Sequence, residues 1–129
     1  MGRRVIDTAN APKAIGPYSQ AVATDAGVMV FLSGQIPLDP VTGELVTGDI
    51  EAETERVMKN LGAVLSEAGL GFGDVVRCGI FLTDLADFAK VNAVYAKYFS
   101  VAPPARATVQ VAALPRGARV EIDAIAVKS

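Results

Sequence analysis

From Asp49 onward the apolar residues Ile50, Val57, Met58, Leu61, Val64, Leu65 and Ala68 recur at the 3.6-residue spacing of one helix face. Asp49 is placed to cap the start of that helix and Gly69 to end it. A second stripe of Leu85, Phe88, Val91, Tyr95, Tyr98 and Phe99 follows Asp84, with Asp87 three residues after that expected cap, and Pro103 and Pro104 forbid any continuation. Each predicted helix has one apolar face. The remaining apolar segments are short, rich in β-branched residues and separated by Gly, Pro and Asp: "RRVID", "SQAVAT", "VMVFLSG", "VVRCGIFL", "ATVQVAAL" and "RVEIDAIAV".

The pattern predicts an α+β fold of about six strands in a mixed sheet with two helices on one face. The runs "VMVFL" and "GIFL" are apolar at consecutive positions, as expected of strands buried on both faces. Two helices cover only one face, so something else must cover the other. A second copy of the same chain is the economical answer, because a bare apolar sheet face is an aggregation hazard in a monomer.

A length of 129 residues suits a single domain, 1–129, with a real core. The formal net charge of −2, from twelve Lys and Arg against fourteen Asp and Glu, leaves no polybasic footprint for nucleic acid. No apolar run is long enough to span a bilayer, and the N-terminal "MGRRVIDTANAP" has no apolar stretch behind its arginines, so a cytoplasmic protein without a membrane partner is expected. With no histidine and a lone Cys78, zinc sites built on His or paired Cys, and nucleophiles activated by His, are excluded. No metal is expected, and any chemistry must rest on carboxylates, Arg, Lys, Tyr or the backbone.

Two charges stand inside strands. Strand alternation puts Arg106, Thr108 and Gln110 on one side of theirs, and Glu121 and Asp123 on one side of theirs, opposite Val120 and Ile122. These polar sides are either solvated faces or a structural Arg–Glu pair, or else they are working groups. A guanidinium grips a carboxylate through two parallel N–H···O bonds, and a carboxylate nearby can accept a proton from water. Together they suit a small anionic substrate.

The stretch "PARATVQVAALPRGARVEI", residues 104–122, resembles the signature of the RidA (YjgF) family of reactive-intermediate deaminases in order and spacing: Pro-Ala-Arg, an apolar strand, then Glu between apolar residues. Further segments agree along nearly the whole chain: "APKAIGPYSQA" (11–21), "LSGQIPLDPVTGEL" (32–45), "GDVVRCGIFLTDL" (73–85) and "FAKVNAVY" (88–95). The resemblance implies a chorismate-mutase-like subunit and a homotrimer whose sheets line an inner barrel, with sites between subunits. It implies hydrolysis of 2-imino acids, such as those from 2-aminoacrylate, to 2-keto acids and ammonia without a cofactor. Carried over to this chain, Arg106 would hold the substrate carboxylate and Glu121 would activate water. The backbone of Thr108 would help orient that water, and Tyr18, Ser33, Gly34 and Asn92 would line the cleft. Many bacterial relatives carry Cys where this chain has Thr108, so a thiol role there is lost while a backbone role survives.

Read without the family, Tyr18 closes a Gly16-Pro17 turn, Ser33-Gly34 ends a strand where a ligand can approach the backbone, and Asn92 is a solvent-facing helix residue. Cys78 is packing and "LDPVTGEL" a surface turn. Three other functions fit a chain of this kind: a non-catalytic binder of small carboxylates such as 2-keto acids, a ribonuclease or translation inhibitor, and a chaperone. The charge balance weighs against the ribonuclease.

Overall fold

The structure is a computed structural model and describes residues 2–25 and 27–128. Its strands are β1 (Arg3–Ile6), β2 (Ala21–Thr24), β3 (Val28–Gln35), β4 (Val75–Leu82), β5 (Ala105–Gln110) and β6 (Val120–Lys128), and its helices are α1 (Ile50–Glu67) and α2 (Phe88–Ala96). The expected α+β class with two helices is what forms. The single six-stranded sheet is not: β1 and β2 make an antiparallel hairpin of their own, and the other four strands form a sheet in the order β3-β6-β4-β5. That sheet is mixed, since β6 runs antiparallel to both neighbours while β4 and β5 are parallel. The break between the sheets has a chemical cause. The hairpin approaches the segment leading into β5 at Pro103 and Pro104, which have no N–H to donate. Ser19 bonds their two carbonyls through its hydroxyl and its backbone N–H, and a ladder cannot continue from there.

Helix α1 starts as its sequence predicts, the Asp49 carboxylate accepting from the Ala52 N–H at 2.8 Å, and Gly69 beyond its end adopts φ 77°, where a Cβ would be strained. The second helix is shorter than its stripe. Asp84 caps a single 3-10 turn, Leu85–Asp87, by accepting from Ala86 N–H at 2.9 Å, and the α-helix spans only Phe88–Ala96. Tyr98 and Phe99 lie past its last turn, where Phe99 stacks 4.7 Å from Tyr95 and 5.4 Å from Phe72.

The core lies between the helices and one sheet face. Val57, Met58, Leu61 and Leu65 of α1 and Val91, Val94 and Tyr95 of α2 pack against Cys78, Ile80 and Leu82 of β4 and Val120, Ile122, Ala124 and Ala126 of β6. The alternation on β6 leaves Glu121, Asp123 and Ile125 on the opposite face. That face is bare in the single chain: Phe31 is 68 % exposed, Met29 54 % and Val109 44 %. The uncovered apolar face foreseen from the pattern is therefore present. Among the described residues no helix is long and apolar enough to cross a membrane.

Candidate functional site

Arg106 sits on β5, an edge strand of the four-stranded sheet, and register with Cys78 turns its side chain to the helix-covered face. There it meets three aromatic rings, Tyr95 at 5.1 Å, Tyr18 at 5.3 Å and Phe88 at 5.4 Å from the guanidinium carbon. Its Nη1 donates to Asn92 Oδ1 at 2.6 Å, the one hydrogen bond of that guanidinium among the described residues. Neither of the ion pairs found among those residues, Lys97–Glu55 and Arg119–Glu53, involves it. Burial pulls its pKa below the ordinary arginine value, yet a guanidinium stays charged at neutral pH. The site thus holds a half-buried cation with no ion-pair partner among the described residues.

It lines a cleft of about 430 Å³ together with Ile15, Gly16, Tyr18, Phe88, Asn92 and Thr108. The Thr108 hydroxyl oxygen is buried with no hydrogen-bond partner among the described residues. Tyr18 both closes a turn, its N–H donating to Gly16 O at 2.7 Å, and forms a wall of the cleft. Asn92 is half-buried against Arg106 rather than turned to solvent.

Glu121 stands elsewhere. It pairs with Phe81, and since Val120 and Ile122 point into the core, Glu121 points to the bare face. Arg106 and Glu121 thus project from opposite faces of one sheet, which rules out the structural Arg–Glu pair within a chain. Ser33 and Gly34 belong with Glu121. Leu32 pairs with Ala124 and Gln35 with Ile122, so Ser33 and Gly34 together oppose Asp123 in a bulge. A Cβ built on Gly34 would lie 1.9 Å from Glu121 Oε2, so only glycine lets the carboxylate lie against this strand. The seven predicted residues therefore fall into two half-sites: Tyr18, Asn92, Arg106 and Thr108 around the cleft, and Ser33, Gly34 and Glu121 on the bare face.

Ile15, Gly16 and Phe88 line the cleft without having been singled out from the sequence. Phe88 and Tyr95 were read only as core, although their spacing from Asn92, four residues before it and three after, was the available sign that all three share a helix face. Cys78 lies in the core, and burial pushes its thiol pKa up to about 11, so it carries no thiolate at neutral pH. Among the described residues no group of three His, Cys, Asp or Glu side chains could hold a metal ion.

The family model described as Endoribonuclease L-PSP matches residues 8–128. Protein DfrA of Myxococcus xanthus is 70% identical over 127 residues, covering 98% of this chain and 97% of its own. The 2-iminobutanoate/2-iminopropanoate deaminase of Mus musculus is 52% identical over 126 residues, covering 98% of this chain and 92% of its own. A crystal structure of E. coli TdcF with bound serine superposes with a TM-score of 0.74 at 44% identity, covering 98% of this chain and 99% of that one.

Proposed function

The chain belongs to the Endoribonuclease L-PSP family, the RidA (YjgF) family, and from that premise we propose that it hydrolyses reactive 2-imino acids to 2-keto acids and ammonia. The observation that carries the reading is the half-buried Arg106 guanidinium, charged, without an ion-pair partner among the described residues and facing a cleft. Its natural complement is the carboxylate of a small substrate, bound through charge-assisted hydrogen bonds. The deaminase activity named for the mouse relative and the bound serine of the TdcF structure, an amino acid with the same carboxylate, agree with that complement.

Once the carboxylate is fixed, the imine carbon is electrophilic enough for water to add without metal or covalent help. Water attacks C2 of the iminium form, a carbinolamine results, and ammonia leaves as protons pass from the oxygen to the nitrogen. Glu121 serves as the relay, and the buried edge of β5 at Thr108 helps orient the water. Because Arg106 and Glu121 project from opposite faces, one chain does not assemble this site. A homotrimer, with the bare sheet faces turned inward, brings Glu121 of the partner subunit to the Arg106 cleft and buries Phe31, Met29 and Val109 in the same step. Such a protein would remove the imines that pyridoxal-phosphate enzymes release, in the cytoplasm where those enzymes work.

A binder of 2-keto acids is the second reading, favoured by the completeness of the Arg106 half-site without the carboxylate. The deciding experiment generates 2-aminoacrylate with a serine/threonine dehydratase and follows imine loss with and without the protein. Accelerated loss that disappears in folded, assembled Arg106→Ala is the expected result. Tight binding of 2-keto acids with no acceleration would leave the binder, and a fully active Arg106→Ala would overturn the carboxylate clamp on which both readings rest.

A further inference from the structure

The guanidinium of Arg106 is held in an unusual way. Arginine has a long stem with about 2 kcal/mol of rotamer entropy, and a partly buried one is commonly fixed by a carboxylate. Here no carboxylate pairs with it among the described residues, and three aromatic rings pack around it instead. Phe88, Asn92 and Tyr95 occupy positions i, i+4 and i+7 of α2, so one stripe of one short helix meets one side chain. Tyr95 is fully enclosed, so its ring cannot turn away, and Tyr18 closes the cage from the facing loop.

We propose that Phe88 and Tyr95, completed by Tyr18, are positioning residues: their rings hold the desolvated guanidinium in cation–π contact and, with Asn92, fix the orientation in which Arg106 receives a carboxylate. This rests on the carboxylate-clamp reading above and goes beyond it, because it assigns the clamp's geometry to rings that need not touch the substrate. Ring quadrupoles attract the cation without neutralising it, so the guanidinium is immobilised while its charge remains available to a ligand. A carboxylate in the same place would immobilise it and cancel it. The rings also exclude water from the cation, which strengthens its pull on an incoming anion.

The test is a double-mutant cycle read by calorimetric binding of 2-oxobutanoate, with KM and kcat for the imine alongside. Phe88→Leu keeps apolar bulk and removes the ring, and it is expected to weaken binding and raise KM about fivefold to thirtyfold, with kcat changed little. Phe88→Tyr, which keeps the ring, is expected to restore both. In an Arg106→Ala background, where the cage has nothing to hold, Phe88→Leu should change residual binding less than twofold. Equal losses in both backgrounds would make Phe88 an ordinary cleft wall and overturn the cage, as would wild-type binding by Phe88→Leu. Should Phe88→Leu lose its fold, Tyr18→Leu carries the same comparison from the loop side. Unimpaired binding by Arg106→Ala alone would overturn the clamp itself, an outcome distinct from failure of the cage.

Discussion

A single methyl group at position 34 should separate binding from turnover. Gly34 is not among the glycines with positive φ, which are Gly43, Gly48, Gly69 and Gly117, so alanine fits its backbone without strain. The conflict is purely steric: the new Cβ would lie 1.9 Å from Glu121 Oε2, 2.8 Å from Cδ and 3.0 Å from Cγ. The carboxylate must retreat by more than an ångström to reach ordinary contact. A side chain forced off its rotamer costs roughly 0.5–1.5 kcal/mol, which bounds the stability loss. A catalytic group displaced by about 1 Å costs on the order of a hundredfold in rate.

Gly34→Ala should therefore lower kcat for the imine about a hundredfold while leaving calorimetric binding of 2-oxobutanoate, which depends on the Arg106 half-site, within about threefold. If the loss runs through Glu121, Gly34→Ala should cost nothing further in a Glu121→Gln background, where the proton relay worth about 10²- to 10⁴-fold is already gone. A wild-type rate in folded Gly34→Ala would refute the role of Glu121, because a displaced relay cannot leave catalysis untouched. A binding loss as large as the rate loss would instead place the methyl in the ligand's path.

Phe31→Asp, a charge on the bare face, is expected to leave the protein monomeric in sedimentation at micromolar concentration where the wild type forms the proposed trimer; a variant that assembles like the wild type would show that this face is not the interface. Leu61→Ala, deep between α1 and the sheet, should lower unfolding free energy by about 2–5 kcal/mol in urea titration at unchanged slope, and a loss under about 1 kcal/mol would contradict the packing described. Lys97 and Tyr98 hold the Glu55 carboxyl below its ordinary pKa of 4.5, so its contribution is present above that value and is lost as pH falls through the lowered one. Glu55→Gln should thus show a shallower decline in stability between roughly pH 5 and 3 than the wild type, a small difference because the Lys97 end of the pair is exposed to solvent, and an identical acid profile would dismiss the contact.

What the sequence revealed depended on how local the cause was. Helix α1 was legible because period, cap and terminating glycine all lie within one segment. The start of α2 was not, since Asp84 offers the same capping oxygen to a 3-10 turn as to an α-helix. The strands were largely legible one by one, though β5 ends at Gln110, short of the expected run to Leu114, and their division into two sheets turns on Pro103 and Pro104 meeting Ser19 from 84 residues away. The site shows the same limit. Alternation sorted Arg106 with Thr108 and Glu121 with Asp123, yet whether the two pairs share a face depends on how β5 and β6 each register against β4, and no spacing in the sequence encodes that parity. Phe88 and Tyr95 were legible as apolar and illegible as ligands of a cation, because a stripe that packs on aliphatic neighbours and one that packs on a guanidinium look alike.

The placement of the two charges on opposite faces has an electrostatic consequence. Had Glu121 shared the cleft, it would have been a closer partner for Arg106 than any substrate, and at about 4 Å in a partly screened environment that attraction is of order 4 kcal/mol. Every carboxylate ligand would have had to break it first. The intervening sheet keeps the chain from satisfying its own arginine, and Asn92 and the rings steady the guanidinium without discharging it. The same separation leaves Glu121 outside the ion pairs formed among the described residues. In the proposed trimer the two groups then meet across a boundary between rigid sheets, at a spacing set by assembly rather than by their mutual attraction.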